Sequence, residues 1–292
     1  MPSKTRRSIG RSMLRRLKRF SLRLGYAALP ARPHDFEQQI FSCVVERGNI
    51  VFDVGANLGH VAKFLAKLVG TDGQVFAFEP VLGTYRELVR NASDFAIGKG
   101  KVTPFNHGFS NNTGFATISI PDGTHELASL APVDAWGATQ RSTGNQTHLC
   151  SFYSLDDFIS QPSVPFPHFM KIDVEGAEKL VVAGASGVLS QAARPILFME
   201  LFAPWERAFG YGPWEVLQEL VRFEYEVFFA CPQGLLLHIP TKRKPCPEEY
   251  SYGYNILAIP RDRKNVLERA GRLSPSSGTT ILRMAPPPQP NA

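Results

Sequence analysis

Six ionisable residues stand where a packed α/β protein would ordinarily bury apolar ones. Asp53 sits inside the run IVFDV (50–54), Glu79 follows QVFAF (74–78), Lys171, Asp173 and Glu175 alternate with apolar residues in MKIDVE (170–175), and Glu200 closes ILFME (196–200). Each apolar run reads as a buried strand. Charge is costly inside such a strand unless it faces a crevice, and in open α/β sheets the ligand crevice lies at the carboxyl ends of the strands. Glu79, Glu200 and the 171–175 group would lie there. An acid so placed can accept from a ribose diol or take a proton from a reacting hydroxyl. The alternation of Lys171, Asp173 and Glu175 puts all three on one side of the sheet if the strand runs that far.

The turn after the first run narrows the ligand. Gly55 and Gly59 give G-x-x-x-G behind an acid, and Val61, Phe64, Leu65 and Leu68 then recur at helical spacing. A glycine turn feeding a helix N-terminus lets backbone N–H groups approach a ligand closely. The G-x-G-x-x-G that cradles a dinucleotide pyrophosphate is absent, while Glu79, 20 residues past Gly59, stands where a ribose-binding acid is expected. A nucleoside ligand without phosphates fits, and S-adenosylmethionine is one. From this stretch alone, a ligand-free strand-to-helix turn remains the competing reading.

The surrounding pattern alternates helix and strand. Helices are expected over 35–45, after Gly59, over 81–92, 176–183 and 213–223, the last with Pro213 in its first turn. Strands are expected over 50–54, 74–78, 102–105, 169–174, 196–201, 225–230 and 254–259. This order predicts right-handed crossovers and a mostly parallel sheet with helices on both faces. The last two strands, with no long helical pattern between them, are expected to form an antiparallel pair at one edge. Residues 114–120 (GFATISI) alternate as an antiparallel strand. The polar stretch from there to about Thr147 is expected to be a lid-like insertion, about 111–150.

Composition limits the function classes. No run approaches the ~18 apolar residues that span a membrane, and the four cysteines (Cys43, Cys150, Cys231, Cys246) contain no C-x-x-C pair, so neither a disulfide framework nor a metal site is expected. The net charge of +6 is a property of one end: residues 1–33 hold ten Lys/Arg and no acid, which leaves −4 for the rest. Nucleic acid is therefore disfavoured as a partner of the body of the chain. Ile9, Met13, Leu17, Phe20 and Leu24 share one helical face among those arginines, the pattern of a basic amphipathic helix. A disordered tail and a mitochondrial presequence are the competing readings. Residues 263–292, Pro/Ser-rich at their end, are expected to be disordered. Localisation is expected to be cytoplasmic, with peripheral contact at the inner face of an anionic membrane through residues 1–24.

Four blocks in order, VFDVGANLGH, FAFEP, SLDDF and MKIDVEGAEKLVVAGASGVL, resemble the FkbM family of S-adenosylmethionine-dependent methyltransferases. The resemblance covers about 50–260. It implies a Rossmann-like class I methyltransferase fold with a mostly parallel seven-stranded sheet and an antiparallel edge strand, spanning 34–262. It further implies that Asp53, Gly55, Asn57 and Gly59 form the methionine-end loop, that Glu79 with Pro80 is the ribose acid, and that Asp173 lies near the cofactor's methionine moiety. After the third strand the family often shows an acid near a Ser-Asp pair; this chain reads FNHGFSNNTG, with Asn111 there, and Asn106 is expected to reach the cofactor. Lys171, Asp173, Glu175 and Glu200 are the expected catalytic residues, with no metal required. His60, His107, His125 and His168 are loop or helix-start bases in reach of the crevice, and Trp205, Tyr211 and Trp214 are candidates for an apolar or sugar-stacking wall. The acceptor the resemblance implies is a hydroxyl of a glycan, lipid-linked or polyketide-type metabolite. An RNA methyltransferase using the basic N-terminus and a non-catalytic cofactor binder are the alternatives.

Overall fold

The computed structural model describes residues 33–93, 100–120, 128–130, 146–231, 234–237 and 253–273. The expected basic helix over 1–24, residues 274–292 of the expected tail and most of the insertion lie outside them; residues 264–271, expected as part of that disordered tail, are helical instead.

The chain enters through helix α1 (Pro33–Val44) and then alternates strand and helix: β1 (Ile50–Val54), α2 (His60–Val69), β2 (Gln74–Phe78), α3 (Leu82–Ser93) and β3 (Lys101–Phe105). A small excursion follows, β4 (Gly108–Phe109), β5 (Gly114–Ile120) and β6 (Gln146–Tyr153), with α4 (Leu155–Ile159) behind it. The second half holds β7 (Phe169–Ile172), α5 (Glu178–Ala183), α6 (Ser186–Leu189), β8 (Ile196–Phe202), α7 (Ala203–Ala208), α8 (Pro213–Arg222), β9 (Tyr225–Cys231), β10 (Gly234–Leu237), β11 (Gly253–Pro260) and α9 (Lys264–Gly271).

Among the described residues the main sheet has eight strands in the order β10-β9-β11-β8-β7-β1-β2-β3. The β3, β2, β1, β7 and β8 strands pair in parallel, and β11 runs antiparallel to both β8 and β9. The mostly parallel sheet with an antiparallel strand toward one edge is thus present. Its edge is more elaborate than the sequence suggested: β11 is inserted between β8 and β9, and short β10 adds an eighth strand.

Strand residues alternate between two cores. Phe52, Val54, Phe78, Met170, Ile172 and Met199 pack with Leu155, Phe158, Val181 and Leu217 on one face. Val51, Val75, Phe169 and Phe198 pack with Ile40, Phe41, Leu65 and Val266 on the other. Burial on both faces explains why the central strands read as near-continuous apolar runs. The excursion forms a separate three-stranded sheet, β4-β6-β5, in which residues 114–120 pair antiparallel with 146–152 as their alternation predicted. Its inner residues Ile118, Ile120, Cys150 and Phe152 make a third small core with Val81.

Candidate active site

The first half of the site is made by backbone. After Val54 the chain turns through Gly55, Asn57 and Gly59, all with left-handed backbone (φ +77°, +49° and +84°). At Gly55 only glycine serves, because a Cβ would stand 1.8 Å from the Asp173 carbonyl oxygen. The turn thereby presses against the residue that follows β7. The Gly55 and Ala56 N–H groups donate to the Phe78 carbonyl at 3.1 and 2.9 Å, which ties the turn to the end of β2. Glu79 is next in line and buried. Its carboxylate accepts the Asn57 N–H at 3.1 Å and the Val81 N–H at 2.9 Å. Burial still dominates and pushes Glu79 up to about 7, with the two backbone bonds opposing. Asn106 Nδ2 donates to the Glu79 and Pro80 carbonyls at 3.0 Å each and so frames the acid from behind.

The second half is made by charge. Asp53 and Lys171 are direct partners across β1 and β7. Lys171 Nζ stands 2.8 Å from Asp173 Oδ2, 3.8 Å from Asp53 Oδ1 and 3.4 Å from the Gly55 carbonyl oxygen. Burial works against the Lys171 charge, but Asp173 and Asp53 outweigh it and hold the ammonium protonated. Asp53 is fully buried, and neither oxygen closes a hydrogen bond among the described residues. Burial raises its pKa and Lys171 opposes. Glu175 and Glu200 are both raised, first by desolvation and then by the Asp173 charge. Glu200 keeps solvent contact at its strand position, so its shift reflects protein walls and like charges around it rather than full enclosure.

One cavity of about 260 Å³ joins the two halves. Gly55, Asn57, Glu79 and Pro80 line one side and Asp173 and Glu175 the other, and Phe109, Ile118 and Phe152 add apolar wall from the small sheet. Of the expected site residues, these six share the cavity. Asp53 and Lys171 lie buried next to it, Gly59 and Asn106 shape it, and Glu200 stands outside its lining, connected through Asp173.

Several expectations are corrected. The β7 strand ends at Ile172, so strand alternation does not carry Glu175; it reaches the cavity through a left-handed turn (φ +53°). His168 lies at the opposite end of the strands, where its Nδ1 accepts the Ile50 N–H at 3.0 Å. His107 packs among Phe78, Phe105, Phe109, Tyr153 and Phe158 at 4.8–6.0 Å between ring centroids, and burial lowers it to about 4. His60 is exposed on the first turn of α2, and His125 lies outside the described residues. Trp214 is core, and Tyr211 makes a polar contact instead of a stacking wall: its hydroxyl donates to the Gly176 carbonyl.

Sequence reasoning passed over Glu178 and Glu206. Glu178 is 1% exposed and Glu206 is fully buried. Desolvation is the first cause in both, raising them to about 8 and about 9. A faint signal existed for Glu178, the second acid of VEGAE. None existed for Glu206, which sits in an ordinary-looking amphipathic PWERA segment.

Comparison with known proteins gives the same outline. The methyltransferase FkbM domain matches residues 53–227. The hexuronic acid methyltransferase AglP of Haloferax volcanii is 31% identical over 156 residues, 52% of this chain and 58% of that protein. The chain thus spans under two thirds of that relative's length. Among solved structures, the methyltransferase FkbM of Methylobacillus flagellatus is similar at 18% identity and TM-score 0.41, over 72% of this chain and 43% of that one. A SAM-dependent methyltransferase of Aquifex aeolicus is similar at 14% identity and TM-score 0.41, over 77% and 88%. The domain match takes in more than half of the chain and contains both halves of the cavity, so the chain belongs to the FkbM family of methyltransferases, which use S-adenosylmethionine.

Proposed function

We propose that the chain transfers a methyl group from S-adenosylmethionine to a hydroxyl of a glycan or glycan-like metabolite. The observation that carries the reading is one cavity with Glu79 at one side and Asp173 and Glu175 at the other. The residues present fit the cofactor. Glu79 keeps lone pairs for a ribose diol after its two backbone bonds, Asn57 Oδ1 is buried without a partner among the described residues, and Phe109, Ile118 and Phe152 offer apolar contact to a base. Asp173 and Glu175 are placed to hold the amino-acid end.

When bound, S-adenosylmethionine supplies an electrophilic methyl group. The protein's part is to hold an acceptor hydroxyl in line with it, which is where most of the rate advantage of such a transfer lies. Glu200 is the proposed base for the hydroxyl proton. Its raised pKa makes it a better proton acceptor than an ordinary carboxylate, and Asp173 links it to the cavity. Lys171 holds Asp173 in place and offsets part of the acidic charge. A glycan acceptor is supported by the relative named as a hexuronic acid methyltransferase. In this reading residues 34–262 form the catalytic domain. The basic segment 1–24 holds the enzyme at an anionic membrane surface, each Lys/Arg adding about 1 kcal/mol there. No helix among the described residues is long and apolar enough to cross a membrane.

The test is incubation with methyl-labelled cofactor and a panel of neutral sugars, uronic-acid oligosaccharides, lipid-linked glycans and total RNA. Label fixed in a sugar as an alkali-stable ether supports the proposal. Label entering RNA, or no fraction at all, overturns it. For the membrane contact, the full chain should pellet with anionic but not neutral vesicles, and a chain starting at His34 should not.

A further inference from the structure

The turn after β7 is held from underneath. Glu175 and Gly176 both take left-handed backbone (φ +53° and +94°), and for a residue with a Cβ such a conformation persists only where the surroundings fix it. Gly176 has no room for a side chain: a Cβ would stand 2.8 Å from the Trp205 carbonyl carbon. Glu178 reaches back beneath the turn, where its Oε1 accepts the Val174 N–H at 3.1 Å and the Gly176 N–H at 3.3 Å. Tyr211 Oη donates to the Gly176 carbonyl and accepts the Lys179 N–H at 3.1 Å. Ser129, bridged to β5 at Ser119, donates through its Oγ to the Glu175 carbonyl at 2.7 Å. Apart from the Lys179 N–H, these contacts land on backbone of the turn that presents Asp173 and Glu175 to the cavity.

We infer that Glu178 is a positioning residue of the cofactor site: by engaging the Val174 and Gly176 N–H groups it fixes the left-handed turn that aims Asp173 and Glu175 into the cavity. The inference rests on the family's cofactor and is independent of the acceptor. Only the acceptor oxygen is needed for the role. Burial favours the neutral carboxyl, and Glu206, fully buried with both oxygens unpartnered among the described residues, adds no cation. A glutamine therefore reproduces the contact, whereas aspartate is one methylene too short to serve both N–H groups.

The experiment is calorimetric titration of the full chain with S-adenosylhomocysteine, beside thermal melts, for Glu178→Gln, Glu178→Asp, Glu178→Ala and Leu220→Ala. Leu220 is buried in the core away from the cavity lining, so its variant reports destabilisation alone. Glu178→Gln should bind within about threefold of the native chain, Glu178→Asp and Glu178→Ala should bind about tenfold or more weakly, and Leu220→Ala should melt earlier with native affinity. If Glu178→Asp binds like the native chain while melting earlier, the residue is merely structural and the inference fails. It fails equally if Glu178→Gln binds as poorly as Glu178→Asp, or if Leu220→Ala loses affinity in step with its melting temperature. Should Glu178→Ala not fold, the glutamine and aspartate variants decide. A native chain that does not bind S-adenosylhomocysteine would overturn the cofactor assignment itself, and this inference with it.

Discussion

The two sides of the cavity are built on opposite principles. At the 55–59 turn and Glu79, charge is met by backbone: Glu79 accepts two main-chain N–H groups, and the turn is locked to β2 by further main-chain bonds. Across the cavity, charge meets charge. Asp53, Asp173, Glu175 and Glu200 share the neighbourhood of one buried cation, Lys171, and three of the four carboxyls have raised pKa values. A site built from backbone hydrogen bonds is complete before ligand arrives. A site crowded with like charges is completed by a cation, which in the proposed reading the cofactor's sulfonium and ammonium groups would supply. Both sides are therefore expected to contribute to cofactor affinity, and the charged side also to set turnover and its pH dependence.

The sharpest way to break this contrast is Asp173→Ala, which removes the partner of Lys171 and the link to Glu200. Methyl transfer is expected to fall by about 10²–10⁴-fold in a still-folded protein, measured with labelled cofactor. Full activity would show that the charged side does no chemistry. Gly55→Ala attacks the other side through stability. Both the +77° backbone and the 1.8 Å approach to Asp173 forbid the methyl group. The variant should lose about 2 kcal/mol or more in denaturant unfolding, and a loss under about 0.5 kcal/mol would refute the tight packing.

A smaller effect lies below the cavity at Glu206. Its folded pKa of about 9 stands above the ordinary carboxyl value. The folded state therefore holds a proton that the unfolded chain releases, and native stability falls as pH rises from about 5 toward 9. Glu206→Gln removes that decline. The variant should gain on the native chain by about 1–3 kcal/mol at pH 9 and by little at pH 5, read from melts at both. An equal shift at both values would mean that Glu206 is ionised in the fold. The same direction of shift at Glu200 predicts that kcat rises with pH across the neutral range, later than an ordinary carboxylate would allow. A flat profile from pH 5 would remove Glu200 as the base.

Much of this was legible in the sequence, for a physical reason. Strands covered on both faces read as apolar runs, and the acids interrupting IVFDV and closing QVFAF stand out against them. The 55–59 turn announces itself because left-handed backbone favours glycine. Less regular regions gave weaker signals. The first residues of β6, Gln146, Thr147 and His148, are polar, and Leu149 beside them is 74% exposed, so a one-sided strand looked like loop. Position within a turn was also hidden. Glu175 seemed to continue the alternation of Lys171 and Asp173, whereas the strand had ended and a left-handed turn took over. Buried carboxyls such as Glu206 carry no periodic mark, because an amphipathic helix with a glutamate reads as having a solvated face.

The central claim, that this cavity is the cofactor site with Glu79 as its ribose acid, is tested most directly by calorimetric titration of native and Glu79→Ala protein with S-adenosylhomocysteine. A charge-assisted contact to the ribose diol is worth about 1.5–3 kcal/mol, so affinity should drop by about ten- to a hundredfold in the variant. Unchanged affinity in a folded Glu79→Ala protein would contradict the assignment.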